Sequence, residues 1–243
     1  MAAHLVWTEI KLLTREPITL GVSLLFPIVL MVLLAGSFGN DADPEFGGVG
    51  GVDFYVPIYA AATVAVMGLL GLPTHLAAYR QHGVLQRFRA SGVSSPLVMV
   101  SQVAVMSLLV AVGVAAMVVI GFTGFDVTAP ASAAGVLVGF VMGTLAFAGL
   151  GLLIGSLLPT ARAAQGLGLL LFFGLFFVAG GGPPPALLPD AVNRLVSLTP
   201  MGPLIDAISD PWHGRGVDWV AVAALGAIAV IATARADRRL RRE

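Results

Sequence analysis

Long apolar stretches separated by short polar connectors dominate the chain. A helix that crosses a bilayer needs about 20 consecutive apolar residues. Six stretches reach or approach that length: 18–38, 57–77, 96–122, 133–157, 164–182 and 217–234, the last being the shortest. Residues 183–216 are interrupted too often by proline to make a seventh. The first stretch outlasts the apolar core of a signal peptide and runs into GSFGND without a small-residue cleavage site, so it reads as an uncleaved span. The pattern predicts an all-α integral membrane protein, residues 1–243 forming a single domain with six transmembrane helices.

The connectors carry their own patterns. In residues 3–15, Ala3, Val6, Ile10 and Leu13 share a helical face opposite Thr8, Glu9, Lys11 and Arg15, with Trp7 suited to headgroup level. This predicts an interfacial helix over 1–16 that Pro17 breaks. Residues 39–56 are acidic and rich in glycine, and read as a floppy solvated loop whose spacing fits no calcium site. Pro73 predicts a kink in the second span, with the Thr74 hydroxyl placed to satisfy a freed carbonyl and His75 near the interface. In the fourth span Gly135, Gly139, Gly143, Gly151 and Gly155 form a small-residue row that lets helix backbones approach, in this chain or between two copies. Phe172, Phe173, Phe176 and Phe177 fall on one helical face of the fifth span, which suits lipid contact or a ring-lined path equally. Residues 183–216 predict two short helices, one capped by Asp190 and running through Ser197, the other opened by Pro200 and Pro203 and ending near Ser209. Each is too short to span, which places them at the outer surface or re-entrant against protein.

Composition sharpens this picture. Hydrophobic residues make up 58% of the chain and charged residues 11%, against about 25% charged in soluble domains. The net charge is zero, with no global pull toward nucleic acid, but the charges are segregated. With six spans, eleven basic residues, Arg80, Arg87 and Arg89 among them, share one side with both termini, and only Arg194 and Arg215 lie opposite. The basic side is cytoplasmic by the positive-inside rule, for a protein of the cell membrane with both termini inside. Asp41, Asp43, Glu45, Asp53, Asp126 and Asp206 fall on the outer side.

The chemistry that is missing narrows the function. Within these boundaries no span interior carries Asp, Glu, Lys or Arg, which argues against an ion-coupled carrier. Lys11 is the only lysine and sits outside any glycine-rich turn, so no phosphate loop is present. There is no cysteine, and the four histidines are scattered. The chain reads as no enzyme by itself, without catalytic, cofactor-binding or metal-binding residues. What remains unexplained is the basic connector 79–95, YRQHGVLQRFRASGVSS.

The order of these features, LLTREP into LGVSLLFPIVLMVLL, then HGVLQRFRASGVS, then PTARAAQ, then AGGGPPPALLPDAVNRLVSLTPMGPLIDAI, resembles the membrane subunit of type-2 ATP-binding-cassette exporters, the permease family that includes bacterial drug and antibiotic exporters. The resemblance implies six spans per chain in a homodimer or pseudo-dimer, an interfacial helix before the first span, and re-entrant helices between the fifth and sixth. It implies that residues 80–89, within the cytoplasmic loop 79–95, are a coupling helix seated in a separate ATPase subunit, with Val84, Leu85 and Phe88 as the docking face and Arg80, Arg87 and Arg89 around it. Gln86 and Gly92 stand where relatives often carry an acid and a proline. ATP and magnesium would be bound by two copies of that partner. The first, second and fifth spans would line the path, which favours the path reading of Phe172, Phe173, Phe176 and Phe177 and a hydrophobic or amphipathic cargo. An ion-coupled secondary transporter and a non-transporting scaffold or sensor partner are the competing readings.

Overall fold

Turn residues and side-chain caps decide where the helices start. In the computed structural model, described for residues 17–33, 37–92, 94–182 and 188–241, α1 is Pro17–Leu33 and α2 is Gly51–Gln81. A turn at His82 and Gly83 leads into α3, Val84–Ala90, and then α4 is Ser95–Gly124. Ser132 accepts from the Gly135 amide to open α5, Ala133–Leu157, and Thr160 accepts from Ala163 to open α6, Ala161–Val178. Two short helices follow, α7 at Asp190–Leu198 and α8 at Met201–Trp212. Asp218 accepts from the Val220 and Ala221 amides and starts α9, Trp219–Leu240. No β-strand occurs among the described residues.

Five of these helices, α2, α4, α5, α6 and α9, are long and apolar enough to cross a membrane. The first predicted span corresponds to α1, whose 17 described residues carry no charge and only Thr19 and Ser23 as polar side chains. The predicted interfacial helix over 1–16 lies outside the described residues. The second span is longer than its pattern suggested: α2 begins at Gly51 rather than 57 and draws Asp53, Phe54 and Tyr55 into the helix. At the other end of the chain, α9 continues past 234 through Arg235, Asp237, Arg238 and Arg239. The helices thus carry charge at their ends, where the narrower boundaries excluded it.

Helix α2 is the axis of the bundle. Its membrane window is 83% buried, against 50% for α5 and under 30% for α4, α6 and α9. It packs against α1, α4, α5, α6 and α8. In lipid, helices associate through close packing rather than through expulsion of water, and glycine sets how close they come. A Cβ at Gly139 would collide with the Ala207 carbonyl of α8, and one at Gly151 with the Gly68 carbonyl of α2. The glycine row is therefore an internal packing face, turned to α8 along its first half and to α2 along its second.

Where α5 meets α2, the axis departs from α geometry. Residues Met67–Gly71 form a π-turn in which the Leu72 amide reaches back five residues to the Met67 carbonyl. Pro73 follows and has no N–H to give. The expected repair by Thr74 does not occur: its hydroxyl is buried and meets no partner among the described residues. Instead the wide turn pushes its carbonyls outward, Gly68 toward Gly151 and Leu69 toward Gly168 of α6. Such π-turns recur at functional positions of helices.

The acidic connector is folded on itself rather than floppy. Asp43 accepts from the Glu45 amide at 2.8 Å, Pro44–Phe46 make a 3-10 turn, and Phe46 is buried. The two short helices fall close to their predicted positions. Asp190 is the first helical residue and Pro189 precedes it, so the cap moves back by one. Helix α8 buries Met201, Leu204, Ala207, Ile208 and Trp212 against α5 and α2.

Candidate functional site

Two places bring together side chains whose roles the sequence raised: a seam of aromatic rings between α1, α2 and α6, and the basic end of the bundle. The seam starts at Tyr55, whose ring stacks on Tyr59 one turn later at 5.3 Å. Tyr59 meets Phe176 of α6 at 6.3 Å, Phe176 stacks on Phe172 at 5.5 Å, and Phe172 meets Phe26 of α1 edge-on at 5.8 Å. Ring pairs at these separations add to plain packing. The Tyr55 hydroxyl donates to the Gly182 carbonyl at 2.6 Å, while the Tyr59 hydroxyl is buried and has no partner among the described residues.

The four phenylalanines of α6 do not share one environment. Phe172 and Phe176 are 2% and 4% exposed and belong to the seam, whereas Phe173 and Phe177 are 48% and 54% exposed and stack on each other along the outside. Successive helix residues point about 100° apart, so neighbours in sequence divide between the flank facing α2 and the flank facing out. Of the four, Phe173 and Phe177 are the open ones, beside the exposed Leu170. Tyr55 was missed because residues before 57 were read as loop, and Tyr59, though inside the second span, was not paired with it. Their i, i+4 spacing was the available signal.

At the basic end, the terminus of α5 is the meeting point. The last carbonyls of a helix lack internal partners and carry its negative pole. Arg80 of α2 donates to the Gly155 and Leu158 carbonyls at 2.8 and 2.9 Å, and Arg239 of α9 donates to the Ser156 carbonyl at 3.0 Å. The Gln81 side chain accepts from the Ala161 amide at the start of α6. Four helices are thus knotted at the root of α3.

Helix α3 itself turns its apolar side inward. Leu85 is 6% exposed, and Phe88 packs on Tyr79 of α2 with ring centroids 6.4 Å apart. Val84 is half-buried. Of the docking face implied by the resemblance, Leu85 is turned into the bundle, while Val84 and Phe88 are half-buried and keep part of their surface open. Gln86, Arg87 and Ala90 form its exposed side. The Arg89 side chain lies outside the described ones.

The opposite end is acidic and tightly bonded. Asp53, 8% exposed, accepts from the Thr128 amide at 2.7 Å and the Thr128 hydroxyl at 2.6 Å. The Asn40 side chain accepts from the Asp53 amide, and a ring nitrogen of His213 lies 3.3 Å from the Asp53 carbonyl. Next to this knot a pocket of about 240 Å³ opens between the 3-10 turn, α2, α6 and α8, with Asp206, Ser209, His213 and Arg215 on its wall. Burial pushes the Asp206 carboxyl up to about 6, Asp210 and Asp218 add repulsion, and Arg215 acts the other way.

A bundle of apolar helices, apolar also on its outside and charged at its two ends, is a multi-pass membrane protein. A family profile described as ABC-2 type transporter matches residues 2–210. The chain belongs to this family, the membrane permeases of ABC transporters, which work with an ABC ATPase and are generally non-catalytic. A comparison with curated proteins finds no match.

Proposed function

We propose that this chain is the permease subunit of an ATP-driven exporter of hydrophobic or amphipathic cargo such as a drug, antibiotic or lipid-like molecule. In this reading α1 completes six spans, the basic end faces the cytoplasm, and α7 and α8 are re-entrant helices closing the outer side. Two copies of the chain form the path and two ATPase subunits, holding ATP and magnesium, sit beneath them. The observation that carries the reading is the position of α3, hung from the knot where Arg80 and Arg239 bind the end of α5. A displacement of α3 reaches α2, α5, α6 and α9 at once. Arg80, Leu85 and Phe88 transmit the movement from inside the chain, and Arg87, with Gln86, Val84 and Arg89, meets the ATPase. Cargo leaves along the path bordered by Phe173 and Phe177, with Phe172 and Phe176 shaping its wall.

The test is reconstitution of the chain with its partner ABC ATPase. ATP should drive cargo accumulation in inverted vesicles. Arg87→Glu should weaken ATPase binding by about tenfold, the size of one reversed charge at a contact rim, and leave the helical spectrum unchanged. Transport driven by a pH gradient without ATP would overturn the exporter reading. Undiminished binding by Arg87→Glu would remove α3 from the contact.

A further inference from the structure

We infer that the groove between α4, α5 and α9 binds a phospholipid whose head group carries a primary ammonium. The inference needs only that these three spans lie in a bilayer, and it stands apart from the transport reading. Toward their basic ends α4 and α9 lie on either side of α5 with a groove of about 790 Å³ between them. That volume falls within the range of ligand sites, about 300–1,000 Å³. Its walls are apolar, with Met99, Val103, Leu152 and Val230 among them, and α4 and α5 contribute no charged side chain. Because the groove opens sideways between spans, its surroundings are acyl chains rather than water.

The charges stand at one end only. Asp237 and Arg241 of α9 line the mouth, where the apolar run of α9 gives way to its arginine-rich last turns, the depth at which lipid head groups sit. Asp237 Oδ2 accepts from Arg241 Nε at 2.7 Å. Asp237 Oδ1 is buried and meets no hydrogen-bond partner among the described residues. A buried carboxylate oxygen without a donor is costly, and because the Asp237 side chain as a whole is 28% exposed at the mouth of the groove, a small turn of the carboxylate brings it to a ligand N–H. The Arg241 side chain is 65% exposed, and a guanidinium offers a fork of donors that matches phosphate. A carboxylate and a guanidinium side by side complement a head group that is itself a phosphate joined to an ammonium. Choline carries the same charge but no N–H, and a glycerol head group brings hydroxyls but no positive charge. The geometry thus selects an ethanolamine-type head group, with its chains in the groove.

The full chain is purified and offered defined lipids, and bound lipid is read by native mass spectrometry. Phosphatidylethanolamine should be retained over phosphatidylcholine and phosphatidylglycerol by about tenfold, the worth of one charge-assisted hydrogen bond. Asp237→Asn should abolish that preference while binding of the three lipids persists. Ala104→Phe, which fills the groove, should expel all three. Equal retention of ethanolamine and choline lipids by the unmodified chain, or an undiminished preference in Asp237→Asn, would overturn the assignment. The chain has no cysteine of its own, so Val230→Cys gives an independent measurement. Efficient disulfide formation between two copies would show that a second chain, not a lipid, covers the groove.

Discussion

Asp206 stands at the rim of the acidic-end pocket, exposed on one side and facing Asp210 and Asp218 on the other. Its carboxyl is raised from an ordinary 3.8 to about 6, so the folded protein holds this proton more tightly than the unfolded chain does. The stability it contributes is complete below pH 3.8 and is lost as pH rises through 6. Unfolding temperature in detergent should fall between pH 4 and 7, and Asp206→Asn should flatten that part of the profile; an unchanged slope in the variant would assign it to another group. Neither this pocket nor the Asp53 knot was legible in the sequence. Asp53 reads as one more acid in a glycine-rich loop, and its partner Thr128 lies 75 positions away. A buried carboxylate is recognisable only once the chain has returned to meet it.

Helix existence was legible because period and length are local properties, and helix ends were not, because they depend on neighbours. The glycine row of α5 shows the division. Its spacing announces close packing, yet which helix it meets is a tertiary fact, settled by the carbonyls of Ala207 and Gly68. Gly151→Leu should therefore overpack the π-turn and destabilise the bundle by about 1–3 kcal/mol or more. Gly166→Ala, at a glycine of α6 with open space around it, should leave yield and unfolding temperature unchanged. Equal behaviour of the two variants would show that the row does not determine the fit. Helix α3 was legible as a helix, but its facing was not: Val84, Leu85 and Phe88 spell an apolar side, and only the structure shows Phe88 meeting Tyr79 of α2.

Across the whole molecule, segregation of charge was legible in the sequence, since it needs only the order of the residues and no packing detail. The aromatic face of α6 was less so, because two adjacent i, i+4 pairs look like one stripe. The division of that stripe is testable. Phe176→Ala should cost about 3–5 kcal/mol in stability by emptying a buried site. Phe177→Ala should leave stability alone and alter which cargoes are carried, read as relative transport of several compounds; unchanged selectivity would return Phe177 to lipid. One further property belongs to α2. It is a rod of about 46 Å at 1.5 Å per residue, fastened at one end by the bonds around Asp53 and at the other by Arg80. A rod fastened at both ends conveys twist as well as thrust. The π-turn at Met67–Gly71, with Pro73 just beyond it, is then the place where torsion applied at one face of the membrane is either passed to the other or absorbed.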